Sequence, residues 1–115
     1  MPTVFVIGED WHLRANVRAE LREQGIEALG METLDAAEQA LAQGSVPDAI
    51  VIDINSGPAA GASLAAFARH APLLVVASRT AAVPAFDSAV AILWRPVSVG
   101  EVVEKILQFL KGQAV

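Results

Sequence analysis

Short apolar runs alternate along the chain with segments whose apolar residues recur at helical spacing. The apolar runs are rich in β-branched side chains and cover residues 3–7, 26–30, 49–52, 73–77 and 89–94. Three of the five runs contain no polar residue, which is typical of strands that are covered on both faces in a parallel sheet. The pattern therefore predicts five buried strands separated by helices.

The first helical segment has a clear apolar stripe. Leu13, Val17 and Leu21 recur at intervals of four and are expected to face the core. Asp10 is placed to cap the amino terminus of this helix, and Gly25 is placed to end it. The charged residues between the stripe positions are expected to face solvent; they are Arg14, Arg18, Glu20 and Glu23.

Two further helices have recognisable ends. The second is predicted over residues 34–43, with Thr33 as its N-cap and Gly44 as its stop. The last begins at the capping box formed by Ser98 and Glu101 and ends near residue 112. Between residues 78 and 89, a proline at position 84 would break a full helix, so only one or two irregular turns are expected there.

Strands that alternate with helices predict right-handed crossovers and an α/β fold with a doubly wound parallel sheet. The chain has 115 residues, which is the length of one domain, and we assign residues 1–115 to it. In such folds, ligands bind beyond the carboxyl ends of the strands. Candidate functional residues are therefore those that directly follow each apolar run.

Composition and charge exclude several classes of function. The chain has no cysteine, which excludes disulfides, thiolate zinc sites and cysteine nucleophiles. With 13 acidic and 8 basic residues its formal net charge is −5, which argues against direct binding to nucleic acid or to an anionic membrane. No segment resembles a signal peptide or a membrane span, so we expect a cytoplasmic location.

Polar residues gather at the ends of the predicted strands. Gly8, Glu9 and Asp10 follow the first strand, Asp53 and Asn55 follow the third, Ser78 follows the fourth, and Arg95 and Pro96 follow the fifth. This combination suits a phosphoryl-transfer site. Carboxylates can bind Mg²⁺, one aspartate can act as the nucleophile, and a hydroxyl and a cation can bind phosphoryl oxygens.

At these residues the sequence resembles the receiver domain of two-component response regulators. The strongest stretch is PDAIVIDINSGPAAG, and the resemblance extends over essentially the whole chain. It implies a flavodoxin-like strand order of 2-1-3-4-5, phosphorylation at Asp53, and Mg²⁺ held by Glu9, Asp53 and the carbonyl of Asn55. Ser78 matches a family Ser or Thr position, and Arg95-Pro96 matches a Lys-Pro step that is often cis.

The sequence also departs from the receiver pattern. An ungapped count back from Asp53 places the two acids that normally follow the first strand at Gly8 and Glu9, so that one acid has become glycine. This count also brings Arg14 into register with a basic residue common in the first helix. A shift of one residue would instead make Glu9 and Asp10 the pair, with Asp10 as a further metal ligand, but it requires a bulge.

Two more departures concern the phosphoryl pocket. Arg95 stands in place of the family lysine, and its longer, bidentate guanidinium is able to pair with Asp53 instead of with a phosphoryl group. Ile92 occupies the aromatic switch position, and position 79, next to Ser78, holds an arginine where receivers usually have a small residue.

Two hypotheses follow, and neither makes the chain an enzyme beyond self-phosphorylation. In the first, it is a phosphorelay signal-transduction receiver whose Asp53 takes a phosphoryl group from a sensor histidine kinase, a phosphotransfer protein or a small phosphodonor, and an output protein or domain reads the result. In the second, it is a pseudo-receiver that acts as a phosphorylation-independent interaction module or homodimer. The second is motivated by the substitutions and by apolar residues near the last helix, namely Val97, Val99, Val102 and Val103. A flavodoxin-like enzyme is a more distant alternative, because the sequence lacks a hydroxyl-rich phosphate loop.

Overall fold

The computed structural model describes residues 1–54, 61–78 and 90–113. Its elements, in chain order, are β1 (Thr3–Ile7), α1 (Trp11–Glu23), β2 (Glu27–Met31), α2 (Leu34–Ala42), β3 (Ala49–Ile54), α3 (Gly61–Ala68), β4 (Leu73–Ala77), β5 (Val90–Trp94) and α4 (Val99–Gln113). The irregular turns expected between residues 78 and 89 lie outside the described residues, apart from Ser78.

The five strands form one parallel sheet in the order β2-β1-β3-β4-β5. This confirms both the predicted fold class and the strand order that the resemblance implied. β1 lies between β2 and β3, and its register with β3 pairs Val4 with Ala49 and continues without interruption to Ile7 and Ile52.

Side chains of successive strand residues enter two cores on opposite faces of the sheet. Val4 and Val6 of β1 pack with α1 and α4, whereas Phe5 and Ile7 pack on the face that holds α2 and α3. All four side chains are buried. Burial on both faces explains why the central strands carry continuous apolar runs.

The predicted helix caps are confirmed. The Asp10 carboxylate accepts hydrogen bonds from the backbone of the first turn of α1, and the Thr33 hydroxyl accepts one from Ala36. Ser98 and Glu101 form the reciprocal capping box of α4. Gly25 and Gly44 follow α1 and α2 with φ of 77° and 98°, a backbone conformation that glycine adopts without steric strain.

Two expectations about the helices were wrong. Arg14 and Arg18 were expected to face solvent, but both are half-buried and donate hydrogen bonds to backbone carbonyls of Gly8 and Ala28. The apolar residues near α4 are also not surplus: Val102 and Val103 are buried, and Val97 and Val99 pack against the same core. Those valines therefore give no support for an interface.

None of the helices described is long and apolar enough to cross a membrane.

Candidate functional site

The candidate site lies at the carboxyl ends of β1, β3, β4 and β5. The β1–β3 register pairs Ile7 with Ile52, so the next residues, Gly8 and Asp53, stand side by side. The backbone NH of Ser78 donates to the carbonyl of Ile54, and that of Arg95 donates to the carbonyl of Ala77. Because parallel strands end at the same edge, the fold brings these residues to one place.

Asp53 and Arg95 form an ion pair at the centre of this site. The Nη2 atom of Arg95 donates a hydrogen bond to Oδ1 of Asp53, with 2.5 Å between the two atoms. The Asp53 side chain is only 6% exposed and that of Arg95 is 27% exposed. The pairing that the arginine substitution made possible is therefore present.

Asp10 contributes to the same cluster. Its Oδ1 accepts hydrogen bonds from the backbone of His12 and Leu13, which confirms its role as the N-cap of α1. Its Oδ2 lies 3.8 Å from the same nitrogen of Arg95 that binds Asp53. Capping was predicted from the sequence, but the second contact was missed, because only the turn after β1 brings Asp10 within reach of β5.

The carboxyl group of Asp53 is held in an unusual environment. Burial raises the pKa of Asp53 above its ordinary value, and the negative charge of Asp10 adds to that rise, while the hydrogen bond and the charge of Arg95 oppose it. Within the described part of the chain, Oδ2 of Asp53 and Nε of Arg95 are both buried without a hydrogen-bond partner. Desolvation thus outweighs the ion pair.

Gly8 is packed directly against Asp53. A Cβ atom added at Gly8 would lie 2.8 Å from the Cβ of Asp53, closer than two carbon atoms approach in folded proteins. The register of β1 with β3 thus places Gly8 directly beside Asp53. The shifted alternative needs a bulge in β1, and the register with β3 runs through Ile7 without one.

The remaining predicted site residues are placed as follows. Glu9 is exposed, whereas Ser78 is half-buried at the end of β4. Asn55 lies outside the described residues. Arg14 donates to the carbonyl of Gly8, a contact whose only signal in the sequence was the match of Arg14 to a basic position in the first helix.

The described residues do not fit a divalent-cation site of the expected kind. Gly8 supplies no carboxylate, Glu9 is exposed, and Oδ1 of Asp53 is bound by Arg95. Across residues 1–54, 61–78 and 90–113, no group of three or more histidine, aspartate or glutamate side chains is placed to hold a metal ion. A hard cation depends on several anionic oxygens, and among the described residues only Asp10 and Asp53 bring carboxylates toward one point, which Arg95 already occupies.

The peptide bond between Arg95 and Pro96 is cis, as the resemblance to a step that is often cis led us to expect. Trp94, which precedes this bond at the end of β5, is 45% exposed. Trp94 is thus a fluorescent residue next to Arg95 in the chain.

Comparison with known proteins defines the fold. No protein-family model matches the sequence, and no curated protein matches it significantly. Among solved structures, the receiver domain of a Francisella response regulator is similar with a TM-score of 0.73 and 20% identity, covering 98% of this chain and 99% of that one.

Two other solved structures are similar over nearly their whole length. A response regulator receiver domain protein from Methanospirillum hungatei has a TM-score of 0.76 at 15% identity, covering 94% of this chain and 93% of that one. The receiver domain of the hybrid histidine kinase CckA has a TM-score of 0.71 at 19% identity, covering 94% and 98%. With five parallel strands in the order 2-1-3-4-5 and this likeness over nearly the full chain, the protein has the fold of the response regulator receivers.

Proposed function

We propose that this chain is a receiver-fold signalling module that acts through protein–protein contacts and does not accept a phosphoryl group at Asp53. The observation that carries the proposal is the ion pair of Asp53 with Arg95. A carboxylate that attacks phosphorus needs a free oxygen and a path for the phosphodonor. In this site Oδ1 is bound by the guanidinium, and Oδ2 is buried.

The surroundings of Asp53 support the same proposal. Phosphoryl transfer concentrates negative charge, which a divalent cation normally neutralises. Gly8 brings no carboxylate to the site, and any side chain at this position would force the backbone beside Asp53 to shift. The site is thus poor in the anionic ligands that such a cation needs.

Phosphorylation of Asp53 remains a second candidate. It is favoured by the position of Asp53 at the carboxyl end of β3, with Ser78 and Arg95 at the ends of β4 and β5, and by the unpartnered Oδ2. In this alternative, Oδ2 would attack the phosphorus of a phosphodonor, and the bond to the leaving group would break. Mg²⁺ would then have to be held by Glu9, Asp53 and the Asn55 carbonyl.

The deciding experiment incubates the protein with Mg²⁺ and acetyl phosphate and reads intact mass. We expect the wild type to show no mass increase, because the Arg95 guanidinium blocks Asp53. A wild-type increase of one phosphoryl group that Asp53→Asn abolishes would overturn the proposal. If Arg95→Lys alone gains the adduct, Arg95 is identified as the block.

Beryllofluoride gives an independent reading of the same question. Because Trp94 adjoins Arg95, binding of this phosphoryl mimic at Asp53 should change the tryptophan fluorescence. We expect no change in the wild type with Mg²⁺ present. A saturable change that is lost in Asp53→Asn would contradict the proposal.

For a module of this kind the partner is an output protein, a kinase that docks without transfer, or a second copy of the chain. Light scattering during size-exclusion chromatography separates the last possibility from the others. A concentration-dependent doubling of mass would identify a homodimer, whereas a monomer at all concentrations would leave a foreign partner.

A further inference from the structure

We infer that Arg95 is a resident cation: its guanidinium takes the place that a bound divalent metal ion would occupy between the carboxylates at this edge of the sheet. The inference rests on the proposed function and concerns the same site. It goes further, because it states what holds the carboxylates together and how the domain should respond to metal ions.

The first support is the convergence of two carboxylates on one nitrogen. Nη2 of Arg95 lies 2.5 Å from Oδ1 of Asp53 and 3.8 Å from Oδ2 of Asp10. Asp53 comes from β3, Asp10 from the turn after β1, and Arg95 from the end of β5. Two carboxylates that face one point repel each other unless a cation lies between them. In this site the chain itself supplies that cation.

The second support is that the backbone oxygen of the site is also bound by an arginine. Arg14 of α1 donates to the carbonyl of Gly8, which adjoins Asp53. Carbonyl and carboxylate oxygens are the ligands that hard cations prefer. Both kinds of oxygen are bound here by guanidinium groups, and the two arginines balance the charges of Asp10 and Asp53.

The third support is Gly8 itself. A third carboxylate at position 8 would give the site more negative charge than Arg14 and Arg95 balance, and the 2.8 Å approach of an added Cβ to Asp53 means that such a side chain would force β1 or β3 to shift. The absence of an acid at position 8 and the presence of Arg95 therefore act in the same direction, because both reduce the net negative charge of the site. To enter this site, a divalent ion would have to break a charge-assisted hydrogen bond and lie next to a fixed positive charge.

Thermal unfolding in the presence and absence of MgCl₂ tests the inference, with NaCl of equal ionic strength as the reference. We expect the melting temperature of the wild type to be unchanged by Mg²⁺. In Arg95→Met, which keeps the length of the side chain but removes its charge, the melting temperature should fall and should be partly restored by Mg²⁺. The apparent Mg²⁺ affinity of this variant should exceed that of the wild type by about tenfold or more.

Arg69→Met is the matched control. Arg69 is exposed and directly follows α3, near the amino ends of the strands and away from the site at their carboxyl ends. This variant should behave as the wild type does. If Arg95→Met does not fold, the double variant Arg95→Met/Asp53→Asn is used, since it removes the cation and one carboxylate together. It should fold and show no response to Mg²⁺, and a strong response in it would count against the inference.

The inference is overturned if Mg²⁺ stabilises the wild type as much as it stabilises Arg95→Met, or if the Arg95→Met variant responds no more than the wild type. These results are distinguishable from a failure of the proposed function. If the wild type binds Mg²⁺ but forms no phosphoryl adduct, only the inference about Arg95 is overturned. An adduct at Asp53 would instead overturn the proposed function.

Discussion

Two glycines, Gly8 directly after β1 and Gly30 in the neighbouring strand β2, lie against charged side chains in different ways. An added Cβ at Gly8 would lie 2.8 Å from Cβ of Asp53, and one at Gly30 would lie 2.7 Å from Cδ of Arg18. The distances are nearly equal, but the obstacles are not. The Cβ of Asp53 is fixed by the backbone of β3, whereas Cδ of Arg18 belongs to a flexible side chain that reaches across from α1.

Arg18, which lies near Gly30, and Arg95, which lies near Gly8 and Asp53, also differ in their hydrogen-bond partners. Arg18 lies over Gly30 and donates through Nε to the carbonyl of Ala28 at 3.3 Å, on the edge strand β2. Arg95 instead binds the buried carboxylate of Asp53. A hydrogen bond to a carbonyl at the sheet edge can be exchanged for one to water, but the partner of a buried carboxylate cannot be lost so easily. The comparison teaches that the close contact at Gly8 fixes the position of a site residue, Asp53. The close contact at Gly30 only leaves room for the Arg18 side chain.

The largest effect is expected from Gly8→Ala. Because neither β1 nor β3 can shift without disturbing the central register, we expect a loss of about 1–3 kcal/mol of unfolding free energy. Urea denaturation measures it. Gly30→Ala is the matched substitution on the adjacent strand, and an equal loss in both variants would contradict the distinction between the two sites.

The second-largest expected effect is on the pH dependence of stability, which should differ between the region around Asp53 and the region around Arg18. A carboxyl whose pKa is raised by folding binds its proton more tightly in the native state, so stability falls as pH rises from the ordinary value of 3.8 through the raised pKa. Asp53→Asn should remove this fall, leaving a flatter profile of unfolding free energy against pH in that interval.

Arg18→Met provides the control for this measurement, since the recorded contact of Arg18 is with a carbonyl and not with a carboxylate. Its pH profile should run parallel to that of the wild type. If the Asp53→Asn profile also runs parallel, burial does not raise the pKa of Asp53.

The smallest effect is expected from Gly30→Ala. The Arg18 side chain can move aside at the cost of one part-buried hydrogen bond, and alanine restricts the unfolded chain more than glycine does, so the net change should stay within about 1 kcal/mol. A double-mutant cycle with Arg18→Met checks the cause: in that background Gly30→Ala should be neutral or stabilising. A loss that persists without Arg18 would show that the backbone, and not Arg18, opposes the added methyl group.

Most of the fold could be predicted from the sequence, because strand burial and helix caps are local patterns. The differences lie at strand ends. The third strand was predicted over residues 49–52, but β3 continues to Ile54, since Asp53 and Ile54 still pair with Val76 and Ala77 of β4. An apolar pattern stops at the first polar side chain, whereas the hydrogen bonding of the strand does not.

The site was predictable only in part. Asp53 and Arg95 could be paired from their positions after β3 and β5 and from the chemistry of the guanidinium. The hydrogen bonds of Arg14 and Arg18 to backbone carbonyls could not be predicted. The spacing of arginines on a helix is the same whether their side chains extend into solvent or fold back onto the protein. The second contact of Asp10 depended on the path of a turn, which side-chain chemistry does not reveal.

The contact between Gly8 and Asp53 also constrains how this chain can change. Aspartate is separated from glycine by a single nucleotide substitution, so an acid at position 8 is within reach of one mutation. The added side chain would nevertheless meet Asp53 in the native sheet. An aspartate at position 8 would therefore require a compensating shift of β1 or β3, so the contact with Asp53 restricts which residues position 8 accepts.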